Sequence, residues 1–272
     1  MLKVAVLGAQ TLLGRELVQV LEAREASVLP LATGPLTREQ EEGDLVVFAP
    51  EPALLEGLDA VLVADSPMSP DMLEAFPGRI LDLREAPLAG AEPWPLAGAW
   101  PEGVRVLQGR PALEQVLALL PRLVEGLGEV AGTHLRSVAC LGDAGLEGLM
   151  AQSRAILQGQ DPDTASLGYR AAFEVVPQAP RGRLVEVRVP AFHGDLLVLH
   201  LRAAEGGALA LREAPEGVRW VEAPPSSRDV AVSAELLAHA SLAPDGRSAV
   251  LTLGFDPILW GVLAPALRVL GL

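Results

Sequence analysis

Lys3 to Leu21 reads KVAVLGAQTLLGRELVQVL, and the fold class follows from it. The apolar run Val4–Leu7 meets Gly8, and a helical pattern begins within a few residues, with Leu13, Leu17, Val20 and Leu21 on one face. An apolar run, a glycine turn and an amphipathic helix open a βαβ unit, in which N–H groups at the helix start can hold a pyrophosphate. The spacing here is Gly8-x-x-Thr11-x-x-Gly14, not three glycines. The turn and the close helix packing are kept, but the middle position, where backbone approaches a phosphate, carries a side chain. The nucleotide-contacting candidates are therefore Gly8, Gln10, Thr11, Leu12 and Gly14. The plainer alternative is that Gly8 and Gly14 serve only the turn and the packing.

Outward from that stretch, the 272 residues suffice for one or two domains, and 50% hydrophobic content supports a sizeable core. No apolar run reaches the ~18 residues of a membrane span. The chain starts directly with a strand, without a charged leader or cleavage site, so a cytoplasmic protein is expected. A formal charge of -14 argues against nucleic acid or an anionic membrane as partner. Lys3 is the only lysine and no asparagine occurs, a bias that fits a GC-rich genome better than heat adaptation. The single Cys140 excludes a disulfide framework and a thiolate metal cluster.

Taken in order, Ala26–Leu31 reads as a second strand ending in Thr33-Gly34-Pro35. An NAD site wants an acid near there for the ribose hydroxyls and an NADP site an arginine. Neither stands in that stretch, and Arg38 is the nearest basic residue. Asp44–Pro50 is another apolar run and Ala60–Ala64 a buried strand. Ser69-Pro70-Asp71 starts a helix, with a hydroxyl cap, proline at the first helical position and an acid in the first turn. Arg79–Leu83 is the next strand, and this alternation implies a mostly parallel sheet. Glu85–Gly103 reads as an irregular connection, Pro111–Gly126 as a helix, Leu135–Leu141 as a strand and Ala144–Leu157 as a helix. Beyond Tyr169 the runs 184–190, 196–203, 208–214 and 218–222 suggest an antiparallel sheet. A last strand, Ala249–Gly254, leads into the helix Leu259–Leu270.

Several pieces of this order resemble the aspartate-semialdehyde dehydrogenases. The opening GAQTLLGREL is similar to their GATGxVGREL, and Asp82-Leu83-Arg84 to their Asp-x-Ser segment. Ala144-Gly145-Leu146-Glu147-Gly148-Leu149 resembles the GAGxxGxxEL helix start, Ala172–Gln178 the AFNxIPQ segment and Arg188–Gly194 the RVPVFxGHS segment. The resemblance implies a Rossmann-like parallel-sheet nucleotide-binding domain (1–109, completed by the C-terminal helix, 256–272). An α+β domain (110–255) for the substrate and the dimer interface would complete the α/β protein. It also implies NADP as cofactor, a homodimer and a place in amino-acid biosynthesis.

The family's chemistry uses a cysteine that attacks the aldehyde, a histidine that manages protons and hydride transfer to NADP. Its Asn-Cys motif should precede the helix near Pro111, where this chain has Gln108-Gly109-Arg110-Pro111-Ala112. The family glutamine falls at about Ala139 and the family histidine at Asp195. The substrate-type residue still in place is Arg188, a retained anion hook or a strand-edge ion pair. The substrate arginine expected after the Asp-x-Ser segment falls near Leu88, and Asp256–Gly261 resembles Asp-Asn-Leu-Arg-Lys-Gly without its lysine. The pattern is that of the family's Usg-type branch, shorter paralogues without the catalytic residues.

The remaining candidates read as structural. Cys140, in an apolar strand, is expected to be a buried thiol rather than a displaced nucleophile. His193 and His200 lie on a strand pair without an acid–histidine cluster nearby, so no metal is expected. Asp143 and Glu147 are expected on a solvated helix start. Three functions follow: a non-catalytic dimeric binding or assembly protein, an NADP-dependent aldehyde oxidoreductase using Arg188, Asp195 and Cys140, or a ligand-sensing regulatory subunit.

Overall fold

The computed structural model describes residues 1–33, 45–84, 88–180, 182–231 and 233–272. Gly34, Pro35, Arg38, Asp44 and Glu85, which enter the sequence reading, lie outside the described residues. The chain divides into two compact units, Met1–Pro111 with Val262–Leu272, and Ala112–Gly261.

The first unit contains β1 (Lys3–Leu7), α1 (Leu12–Ala23), β2 (Ser27–Leu31), β3 (Ala60–Val63), α2 (Pro70–Ala75), β4 (Arg79–Asp82), β5 (Glu92–Pro93) and β6 (Val106–Gln108). Its sheet runs β2-β1-β3-β4-β6-β5, and every pairing is parallel. Strands covered on both faces read as continuous apolar runs, as Val4, Ala5, Val6 and Leu7 do, and all four are buried. Ser69 accepts from the Met72 N–H and caps α2, as expected from its sequence. Within the apolar run, residues 45–50 form one isolated bridge, between Leu31 and Phe48. The connection after Glu85 is less irregular than its composition suggests, because β5 adds an edge strand beside β6.

The second unit contains α3 (Ala112–Leu123), β7 (Val124–Glu125), β8 (Leu127–Arg136), a 3-10 turn (Val138–Leu141), α4 (Gly142–Leu157), β9 (Val176–Pro177), β10 (Leu184–Arg188), β11 (Asp195–Ala203), β12 (Ala210–Leu211), β13 (Val218–Trp220), α5 (Ser227–Val230), β14 (Leu236–Leu242) and β15 (Ser248–Phe255). A π-helical turn (Leu259–Leu263) precedes α6 (Ala264–Leu270), and the residues Val262–Leu272 count with the first unit. The seven-stranded sheet runs β13-β14-β15-β11-β8-β10-β9.

That sheet is mixed rather than antiparallel, because β10 pairs parallel with β8 and β13 parallel with β14. The expected strand 135–141 is corrected: the strand ends at Arg136 and 138–141 is a 3-10 turn. Leu197, Leu199 and Leu201 on β11 join Val116, Leu120 and Leu123 of α3 in the core. The alternate residues Leu196, Val198, His200 and Arg202 are half-buried to exposed, so one face of the sheet lies open within this unit. These are the Rossmann-like parallel sheet and the α+β unit of an α/β protein.

Candidate functional site

In the first unit, polar groups gather at the carboxyl ends of β1, β2 and β3. Strand order reverses between β1 and β3, and ligands of open parallel sheets bind in the crevice at such a point. Gly8 has φ +93, a conformation glycine adopts without strain. A Cβ on Gly14 would land on the Gly8 carbonyl oxygen and 2.7 Å from Ala9 Cα, so α1 can lie this close to β1 only with glycine there. The Thr11 side chain folds back into the turn, where its oxygen accepts from the Gly14 N–H and its hydroxyl donates to the Gly8 carbonyl. It therefore acts as the N-cap of α1. Gly8, Gln10, Thr11, Leu12 and Gly14 all stand on this one turn or the first turn of α1.

Beside the turn, Gln10 Nε2 donates to Thr33 Oγ1 at 3.0 Å, and Thr33 Oγ1 donates to Asp65 Oδ2 at 2.7 Å. Ser66 Oγ donates to the same oxygen at 3.3 Å. Asp65 sits directly after β3, and a Cβ on Gly8 would meet Asp65 Cβ at 2.8 Å. The Thr11 side chain occupies the middle position of the turn and takes up the Gly14 N–H. The exposed Asp65 carboxylate suits hydroxyls and not a phosphate.

In the second unit, charged groups collect where β8 and β10 end and β11 begins. Arg136 and Arg188 are register partners on the parallel pair β8–β10. Arg136 pairs with Glu186 at 3.4 Å, and the Arg188 guanidinium lies 4.8 Å over the Tyr169 ring. Asp195 is buried and accepts on both oxygens. Ser137 N–H and Oγ donate to Oδ1 at 2.8 and 2.7 Å, and His134 Nε2 lies 2.9 Å from Oδ2. An ionised carboxylate only accepts, so His134 carries its proton on Nε2. Its buried Nδ1 has no hydrogen-bond partner among the described residues.

Cys140 follows on the 3-10 turn. It is half-buried and stands on a turn rather than in an apolar strand, which corrects the sequence expectation. Burial pushes its thiol up from 9.0 to about 11; Arg136 and Arg188 pull it down, while Asp195 and Glu186 push it further up. Burial likewise raises the Tyr169 phenol, against the pull of Arg188.

Three solved structures superpose on nearly the whole chain. A probable aspartate-semialdehyde dehydrogenase from Pseudomonas aeruginosa superposes with a TM-score of 0.78 at 19% identity, covering 99% of this chain and 97% of that one. Aspartate semialdehyde dehydrogenase II from Vibrio cholerae, complexed with ASA, gives 0.76 at 17% identity over 100% and 97%. The enzyme from Francisella tularensis gives 0.71 at 14% identity over 100% and 99%. The chain has the fold of the aspartate-semialdehyde dehydrogenases. No family model matches the sequence, and none of the curated proteins matches it.

Within that fold, Asp195 is a buried acceptor, Ala139 is buried on the 3-10 turn and Arg188 stands at the end of β10. His193 precedes β11, with Nδ1 3.2 Å from Asp256 Oδ2, so of the expected strand pair His193 and His200 only His200 lies on a strand. Two histidine–aspartate pairs are present: His193–Asp256, at a histidine the sequence reading left without a nearby acid, and His134–Asp195, which that reading did not consider. Their members lie more than sixty positions apart, |i−j| being 61 and 63, so no local pattern exposes them. Among the described residues no three histidine, cysteine or acidic side chains group around a possible metal position. Asp143 and Glu147 stand in the first turns of α4, half-buried and exposed respectively. No helix among the described residues is long and apolar enough to cross a membrane.

Proposed function

We propose that this chain is a non-catalytic relative of the aspartate-semialdehyde dehydrogenases, of the Usg type, that acts as a dimeric binding or assembly protein. The observation that carries the proposal is the state of its one thiol. Covalent aldehyde chemistry needs a thiolate with a nearby base. Cys140 is instead a protonated thiol, pushed up to about 11, and the adjacent Asp195 has both oxygens engaged by Ser137 and His134. Arg188 keeps a guanidinium over Tyr169 and is the residue proposed to hold a small anionic ligand. The open sheet face around Val198 and His200 supports a homodimer as the assembled form. NADP, the cofactor that the resemblance brings, is at best weakly held, because Asp65 stands beside the glycine turn.

The regulatory reading uses the same Arg188 site with a metabolite in place of a substrate. The oxidoreductase reading draws its support from Cys140 standing among Arg136, Arg188 and Asp195. Intact-protein mass spectrometry after incubation with aspartate semialdehyde and oxidised nicotinamide cofactor separates the readings. An unmodified chain is expected. An acyl adduct located on Cys140 would overturn the non-catalytic reading.

A further inference from the structure

Ala32 and Thr33, the described residues that follow β2, include no acid to hold ribose hydroxyls, yet the fold delivers one from another strand. Asp65, directly after β3, reaches the end of β2, where its Oδ2 lies 2.7 Å from Thr33 Oγ1. Thr33 accepts from Gln10 Nε2 at 3.0 Å, so its own proton must point to the carboxylate, and the direction of the chain is fixed from amide to hydroxyl to carboxylate. Asp65 Oδ1 has no partner among the described residues, and the side chain is exposed. The group is anchored through one oxygen and offers the other.

We propose that Asp65, held by Thr33, makes the β1–β3 crevice selective for a nucleotide with unphosphorylated ribose hydroxyls, of the NAD type, over one bearing a ribose 2′-phosphate. A carboxylate at the ribose end of a Rossmann crevice accepts from the 2′-hydroxyl, whereas a 2′-phosphate there needs an arginine. A phosphate facing Asp65 meets like charge and loses a donor at once. A site built to hydrogen-bond a hydroxyl discriminates strongly against a ligand that cannot supply it, because its polar groups are left unpaired. The turn itself supplies the other half of the site: Gly8 at φ +93 and the glycine contact at Gly14 bring the start of α1 against β1. This inference concerns the first unit and stands apart from the reading of Cys140 and Arg188.

The test is calorimetric titration of the full chain with NADH and NADPH, repeated on Asp65→Ser, with thermal melting to confirm that the variant is folded. The wild-type chain is expected to bind NADH at least about tenfold more tightly than NADPH, equal to ~1.4 kcal/mol. In Asp65→Ser the ratio should fall to within about threefold of unity, mainly through tighter NADPH binding. Equal affinities or an NADPH preference in the wild-type chain would overturn the inference, as would an unchanged ratio in the variant. Absence of binding by either cofactor to the wild-type chain would overturn it as well. If the variant does not fold, the wild-type ratio decides alone.

Discussion

Alkylation of Cys140 as a function of pH gives a worked prediction. Burial raises the thiol from 9.0 to about 11 in the folded chain. At pH 8 a thiol of ordinary value is about 10% thiolate and one at about 11 only about 0.1%, because each unit is a factor of ten. Iodoacetamide should therefore modify the folded chain about a hundredfold more slowly than the same chain unfolded in guanidinium chloride. Steric shielding lowers the whole profile without moving its bend, so the profile is the decisive readout. The rate should climb tenfold per unit through pH 10, without a plateau. The folded value lies above the unfolded one, so the stability this thiol contributes is complete below about pH 9 and is lost as the pH rises through about 11. Melting curves at each pH keep loss of fold separate from titration. A plateau reached by pH 8 would refute the reasoning and return a reactive thiolate to the site.

Three other outcomes follow from packing and pairing. Gly14→Ala should lower the melting temperature by several degrees, measured by circular dichroism, although alanine in a helix normally gains about 1 kcal/mol over glycine. The new methyl would strike the Gly8 carbonyl and lie 2.7 Å from Ala9 Cα, backbone atoms that cannot move aside, and such overpacking costs about 1–3 kcal/mol or more. Asp195→Ala removes the acceptor of Ser137 N–H, Ser137 Oγ and His134 Nε2, and denaturant unfolding should show a loss of about 3 kcal/mol. Val198→Asp on the open sheet face should convert the proposed dimer to monomer in light scattering, with the melting curve little changed.

Local chemistry made the first unit legible. The apolar run into Gly8, the helix face after it and the Ser69-Pro70-Asp71 start each depend on residues within one turn of one another, and each appears where the sequence indicates. The second unit was harder to read, because its strands break local patterns for tertiary reasons. β8 carries Gly128 and Gly132, which weaken a strand signal. Gly132 is there because a Cβ would lie 3.0 Å from Leu199 Cα and overlap the Val198 carbonyl on the neighbouring strand. β14, LLAHASL, is composed of helix-compatible residues and becomes a strand through its pairing with β15. The direction of β10 was invisible for a related reason, since alternation along one strand says nothing about which way its neighbour runs.

At the candidate site, the missing nucleophile of the resembled family was readable as a plain absence of cysteine and asparagine near Pro111. What replaces the lost residues was not readable. His134, Ser137 and Asp195 come from β8, the turn after it and β11, and only the antiparallel pairing of those strands brings them together. Thr33 and Asp65 belong to the ends of β2 and β3, which flank β1 rather than each other, so neither strand's own pattern reveals their contact.

The measurement that tests the central claim most directly is turnover of aspartate semialdehyde with phosphate, followed as nicotinamide reduction with NADP and with NAD at micromolar protein. The account predicts rates equal to those of the protein-free control with both cofactors. Saturable turnover that disappears in Cys140→Ser would contradict it.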